Sequence, residues 1–205
     1  MILSLVLVML NQCSATDNDE IIPVAIPDYN FRNALIEGGF DLNGDGFIDS
    51  DEAALVVSLD VSYDSIADMT GIEAFVNLDT LNCSGNQITS LDVSKSIALK
   101  WLFCQENALT SLDVSQINGL ELLNCSDNQL DSLAVSNYPT LRWLYCNNNL
   151  LTSLVLTHSS ALIGLYLNNM PSLHKVCVWT EPFPPAGVQV DTSNSPNLYF
   201  TMYCD

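Results

Sequence analysis

Leu78-Asp79-Thr80-Leu81-Asn82-Cys83-Ser84-Gly85-Asn86-Gln87-Ile88-Thr89-Ser90-Leu91 decides the fold, because the chain repeats this stretch. Copies open at Leu78, Leu99, Leu120, Leu141 and Leu162, at intervals of 21 residues. The first four fit L-x-x-L-x-C-x-x-N-x-[IL]-x-S-L, so the third keeps Leu120, Leu123, Cys125, Asn128, Leu130, Ser132 and Leu133. One copy is too short to bury its own apolar side. Copies must therefore stack and share a continuous core.

The period, with leucines spaced three then two apart and an Asn three residues on, resembles the leucine-rich repeat. The resemblance implies an α/β-type repeat solenoid: a parallel β-sheet stack with a small helical N-cap and a β C-cap. Each strand centres on x-L-x-C-x and adds to its neighbour at a rise of roughly 4.8 Å. Because side chains alternate across a strand, Leu81 and Cys83 point inward, and Thr80, Asn82 and Ser84 outward.

Cys83, Cys104, Cys125 and Cys146 fall one per copy. A metal site needs ligands converging on one point, and a ladder does not converge. Disulfides between rungs are disfavoured too, since Cβ atoms about 4.8 Å apart with parallel vectors miss the roughly 3.8 Å a bridge wants. These thiols read as small buried hydrophobes. Asn86, Asn107, Asn128 and Asn149 form a second ladder, whose amides satisfy backbone groups where the chain turns inside the coil.

Stacking turns outward positions into columns. Thr80, Trp101, Leu122, Trp143 and Gly164 form one; Asn82, Phe103, Asn124, Tyr145 and Tyr166 form the next. Trp101, Phe103, Leu122, Trp143, Tyr145 and Tyr166 thus share one exposed face, a concentration of apolar area that marks an interaction site. Coverage of the rings by the chain itself is the alternative. A flanking column, Asp79, Lys100, Glu121 and Arg142, alternates in sign and is expected to add slightly to stacking stability.

Before the repeats, Ile26-Pro27-Asp28 to Gly39 reads as a helix start and an amphipathic run carrying Phe31, Leu35 and Ile36. Then Asp41-Leu42-Asn43-Gly44-Asp45-Gly46-Phe47-Ile48-Asp49-Ser50-Asp51-Glu52 satisfies D-x-[DN]-x-[DN]-G-x₅-E in full and resembles the calcium loop of EF-hands. That resemblance implies Ca²⁺ held by Asp41, Asn43 and Asp45 side chains, the Phe47 carbonyl, Asp49 through water and both oxygens of Glu52, with Gly46 making the turn. A merely solvated acidic turn is the alternative. A single loop is expected to be a structural clamp and not a paired sensor. Val56, Leu59, Val61, Asp64, Ile66 and Met69 then take the inward slots of an irregular repeat. Thr70-Gly71-Ile72-Glu73-Ala74-Phe75 then leads to Leu78, and this joining segment looks like that of internalin-type bacterial repeat proteins.

Residues Ile2 to Leu10 form an apolar run too short to span a bilayer, followed by Cys13 and an acidic stretch. The layout looks like a secretion signal ending at a lipid-modified Cys13, as on surface lipoproteins of Gram-negative bacteria; a plain signal peptide, with Cys13 removed or free, is the alternative. A net charge of −19, with ten of 24 acidic residues between Asp17 and Glu52, argues against nucleic acid and anionic lipid. Membrane contact is expected only through the lipid anchor.

Past Met170 the repeat breaks. Val176-Cys177-Val178-Trp179, a Pro-rich turn, and Leu198 to Cys204 read as strand, turn, strand. In an exported chain Cys177 and Cys204, the two cysteines outside the ladder, are expected to bridge, against two thiols. The layout is then leader and tether 1–20, N-cap with the loop 21–55, repeats 56–176 and C-terminal cap 177–205.

No catalytic constellation stands out: His158 and His174 are the only histidines, and H-E-x-x-H, G-x-S-x-G and a phosphate loop are all missing. The family likeness implies a non-enzymatic surface module for protein recognition or adhesion. Glycan binding on the same aromatic face, or a scaffold without its own ligand, are the alternatives.

Overall fold

The computed structural model describes residues 22–204; the leader, the acidic tether up to Ile21 and the lipidation position Cys13 lie outside them. The chain forms a succession of short coils, seven of which each contribute one three-residue strand to the main parallel sheet. The strands are β1 (Ser58–Asp60), β2 (Thr80–Asn82), β3 (Trp101–Phe103), β4 (Leu122–Asn124), β5 (Trp143–Tyr145), β7 (Gly164–Tyr166) and β9 (Gln189–Asp191). Register is constant along the stack: Leu59 pairs with Leu81, Leu81 with Leu102, Leu102 with Leu123, Leu123 with Leu144, Leu144 with Leu165 and Leu165 with Val190. This is the expected leucine-rich-repeat solenoid.

The repeat residues are inside. Leu78, Leu81, Cys83 and Ile88 are fully buried, and their counterparts in later coils follow suit. Burying a leucine is worth about 1.5–3 kcal/mol. Several buried side chains hold each coil, and the core runs as a column from Ile26 to Val178.

The Asn ladder makes the bonds its position demanded. In each coil one amide oxygen accepts the N–H of the preceding coil, and the NH₂ donates to carbonyls of both coils. Asn128 Oδ1 takes Leu109 N–H at 3.0 Å, while its Nδ2 reaches the Cys104, Cys125 and Ser126 carbonyls at 3.0, 3.2 and 3.1 Å. Asn86 repeats this for Ile66 and Val61, so it, and not Asp64, serves the irregular coil. Asp64 is exposed, which corrects its inward placement. Ser84 departs in the other direction: its hydroxyl donates to Asn82 Oδ1 at 2.7 Å, and the side chain is buried, not outward.

The N-cap consists of α1 (Tyr29–Glu37), the acidic loop and α2 (Ser50–Leu55). Asp28 caps α1, accepting Asn30 and Phe31 N–H on one oxygen, and Ala67 and Asp68 N–H on the other. Burial alone would raise its pKa, yet these four bonds hold the carboxyl below the usual range. One side chain thus starts a helix and ties it to the first coil.

The C-terminal region differs from a strand-turn-strand unit. β9 continues the main sheet, while β6 (Ser153–Val155), β8 (Lys175–Cys177) and β10 (Tyr199–Thr201) build a second parallel sheet in the order β10-β8-β6. Coiling therefore runs on past Met170, with a longer excursion through Thr180 to Val188. Asn169-Met170-Pro171-Ser172-Leu173 and Asn194-Ser195-Pro196-Asn197-Leu198 share N-x-P-x-L, the sequence signal of that extra coil. Ser195 stands where an Asn would, accepting Met170 N–H at 3.0 Å and donating to the Leu167 carbonyl at 2.6 Å.

Candidate functional site

The outward columns of the main sheet carry the expected residues. Trp101, Phe103, Leu122, Trp143, Tyr145 and Tyr166 all lie on one face, each half-buried, opposite the fully buried Leu102, Leu123, Leu144 and Leu165. Alternation puts them there; packing among themselves decides how much of each remains exposed. Tyr145 and Tyr166, paired across β5 and β7, stack at 4.4 Å between centroids with planes 7° apart. Trp143 lies 6.3 Å from Tyr145 and nearly parallel to it, at 13°.

Gly164 completes this arrangement. A Cβ built on it would meet Trp143 ring atoms at 2.1 and 2.2 Å, so the indole covers the glycine backbone and Gly164 is buried. The rings are therefore partly self-covered, with edges and outer surfaces left to a ligand. Burial, then the neighbouring Tyr166, push the Tyr145 phenol above its usual pKa, so it stays neutral.

The charged column beside the rings does not pair as expected. Thr80 Oγ1 donates to Asp79 at 2.9 Å, Lys100 Nζ sits 5.8 Å from the Trp101 ring centroid, and Arg142 is exposed. Among the described residues neither Lys100 nor Arg142 has a carboxylate within 4.0 Å. With Thr140, Ala161, Ile163 and Glu121, Arg142 lines a shallow groove of about 470 Å³.

In the acidic loop, Asp41 accepts the N–H groups of Gly44, Asp45 and Gly46, and Glu52 those of Leu42, Asn43 and Asp49. Asn43 and Asp45 each accept from the residue two further on, and Asp49 caps α2 in a reciprocal box with Glu52. Gly44 and Gly46 turn at positive φ, 75° and 87°, with open space around them. Ile48 is buried, its carbonyl accepts Val24 N–H at 2.7 Å, and Phe47 is exposed. Among the described residues no three His, Cys, Asp or Glu side chains form a metal-ready group.

The four ladder thiols are sealed in the core. Burial pushes Cys83 and Cys125 up to about 12, and Cys104 and Cys146 well above the ordinary thiol value. The structure carries Cys177 and Cys204 as free thiols, buried and exposed respectively, with hydrogen-bonding contact between them. His158 and His174 are exposed, each facing a backbone carbonyl, of Ser136 and Ser172.

No family model matches the chain. Over 70 residues, 34% of this chain, it is 40% identical to Internalin J of Listeria monocytogenes serotype 4b (strain F2365), a stretch amounting to 8% of that protein. The structure of the functional domain of InlJ from Listeria monocytogenes, which includes a cysteine ladder, matches at a TM-score of 0.66 and 30% identity. The match covers 85% of this chain and 45% of that one, so this chain spans less than half of the InlJ domain. Internalin C2 of Listeria monocytogenes matches at 0.52 and 19% identity over 86% of this chain and 94% of its own, a likeness of fold alone. The fold is an internalin-like leucine-rich-repeat solenoid.

Proposed function

We propose that this protein is a non-enzymatic recognition module that engages a protein partner through the aromatic strand face, with Trp101 and Trp143 as its anchors. The observation that carries this reading is the run of half-exposed rings, Trp101, Phe103, Trp143, Tyr145 and Tyr166, on a rigid parallel sheet. Such rings lose little conformational freedom on binding and are favoured interface anchors. The stacking of Tyr145 on Tyr166 and the seating of Trp143 on Gly164 already occupy a face of each ring. This leaves ring edges and outer faces for the partner.

The loop from Asp41 to Glu52 is proposed to bind Ca²⁺, which would be held by Asp41, Asn43, Asp45, the Phe47 carbonyl, Asp49 and Glu52. These are hard oxygen donors on a glycine-turned loop, and the ion would neutralise acids crowded against the N-cap. Its role is structural. A calcium titration by calorimetry, with thermal melts in chelator, is expected to show heat of binding and a lowered melting temperature; no heat and an unchanged melt would remove the site.

Export through the leader, anchoring at Cys13 and a bridge between Cys177 and Cys204 are parts of the same reading. The relatives described above come from Gram-positive Listeria and lend no support to an outer membrane of Gram-negative type. Mass measurement with and without reductant decides the bridge.

Crosslinking pull-downs with the wild type beside Trp101→Ala and Trp143→Ala test the face. A partner captured by the wild type and lost by the variants supports it. A glycan retained instead, or capture unchanged in the variants, contradicts it.

A further inference from the structure

Two cations beside the aromatic face, neither within 4.0 Å of a carboxylate among the described residues and Lys100 lying 5.8 Å from the Trp101 ring centroid, sharpen what that face would accept. In a chain of net charge −19 with only five Lys and Arg, two of the five stand in one column, each next in sequence to a tryptophan of the face. Lys100 precedes Trp101 and Arg142 precedes Trp143, so each cation-tryptophan pair recurs at every second coil. The column is fixed by backbone bonds, Glu121 N–H to the Lys100 carbonyl and Arg142 N–H to the Glu121 carbonyl, both 2.8 Å. Neither cation is spent on a neighbouring acid, although Asp79 and Glu121 are one strand away. Charge is thus left for a ligand beside rings that need an apolar partner.

The spacing selects the form of that ligand. Two coils amount to about 9.6 Å, twice the strand spacing. A polyproline II chain advances about 9.3 Å in three residues and brings every third side chain back to the same side. A β-strand of similar rise would turn its third side chain away. Glu121, midway between the cations, repels an acid placed at that level, so a carboxylate at every third residue fits and a continuous acidic run does not. We infer that the strip of sheet carrying Lys100-Trp101 and Arg142-Trp143 takes an acidic, proline-rich protein segment in polyproline II conformation, its carboxylates on Lys100 and Arg142 and its prolines against the indoles. The inference rests on the aromatic face being the recognition surface.

The probe is the synthetic peptide (Glu-Pro-Pro)₄, titrated into the protein by tryptophan fluorescence and calorimetry, beside (Lys-Pro-Pro)₄ and polygalacturonate. The variant is Lys100→Gln with Arg142→Gln, two exposed side chains whose replacement is expected to leave the melting temperature unchanged. Expected are saturable binding of (Glu-Pro-Pro)₄, weakened about tenfold or more in the double variant and further by salt, and none of (Lys-Pro-Pro)₄. Absence of saturation up to about 1 mM, equal binding of (Lys-Pro-Pro)₄, tighter binding of polygalacturonate, or an unaffected double variant each overturn it. A protein partner lost by Trp101→Ala and Trp143→Ala but kept by the double variant overturns this inference and leaves the recognition face standing. A partner kept by both sets removes the face as well.

Discussion

The middle of the stack and its two ends meet one demand, sealing backbone groups against the core, with different chemistry. In the middle, one residue type is reused: Asn86, Asn107, Asn128 and Asn149 each bridge two coils in the same way. At the ends the device is used once. Asp28 ties α1 to the first coil with a carboxylate, and Ser195 closes the last turn with a hydroxyl. A neutral amide can donate and accept in the same buried spot, so it suits a coil with neighbours on both sides. A carboxylate only accepts and keeps its charge at neutral pH, so it suits a half-solvated terminus.

Asn128→Ala attacks the middle and carries the largest expected effect. It leaves the Leu109 N–H without a partner in the core, while the Cys104, Cys125 and Ser126 carbonyls each lose one donor and keep another, Asn107, Asn149 and the Glu106 N–H, at a cost of roughly 2–3 kcal/mol in urea unfolding. Asp28→Ala comes next, roughly 1–2 kcal/mol for the lost cap. Its folded pKa lies below the ordinary 3.8, so the contribution is present above that value and lost as pH falls through the folded value. Wild type and variant should therefore converge in stability toward strongly acidic pH, read as a shrinking gap between their melts. An unchanged gap there would assign the effect of Asp28 to packing.

Ser195→Ala removes two hydrogen bonds near an end and should cost roughly 1–2 kcal/mol, less than Asn128→Ala. Equal losses at the two positions would erase the distinction between middle and end. Gly164→Ala has the smallest expected cost, about 1 kcal/mol, because the indole of Trp143 can swing outward to admit the methyl. The swing exposes the ring, so its emission should shift to longer wavelength; an unshifted spectrum would mean that Trp143 does not sit on Gly164.

The same contrast explains what the sequence allowed to be read. The middle was legible because inward leucines, thiols and amides recur at a fixed spacing, and each has one place to go. Alternation likewise sent Trp101 and Trp143 outward. The last coils were hidden because β7 and β9 are separated by a longer interval than the repeat, with Pro182, Pro184 and Pro185 inserted, Val190 in a leucine slot and Ser195 in an asparagine slot. The second sheet was hidden as well, since its strands lie at positions where the earlier coils form none, and its first strand, β6, already falls in the copy that opens at Leu141. Side-chain partners on the face were hidden for another reason. Sign alternation suggested ion pairs for Lys100, yet its ammonium lies over Trp101, a choice that depends on rotamers.

Oxidative footprinting of the native protein tests the central claim most directly, because it reports the inside and the outside of the same coil together. Trp101 and Trp143 should be modified while Cys104 and Cys125 stay intact until urea unfolds the chain. Labelling of Cys104 in the native state, with Trp101 protected, would contradict a solenoid that hides its thiols and displays its rings.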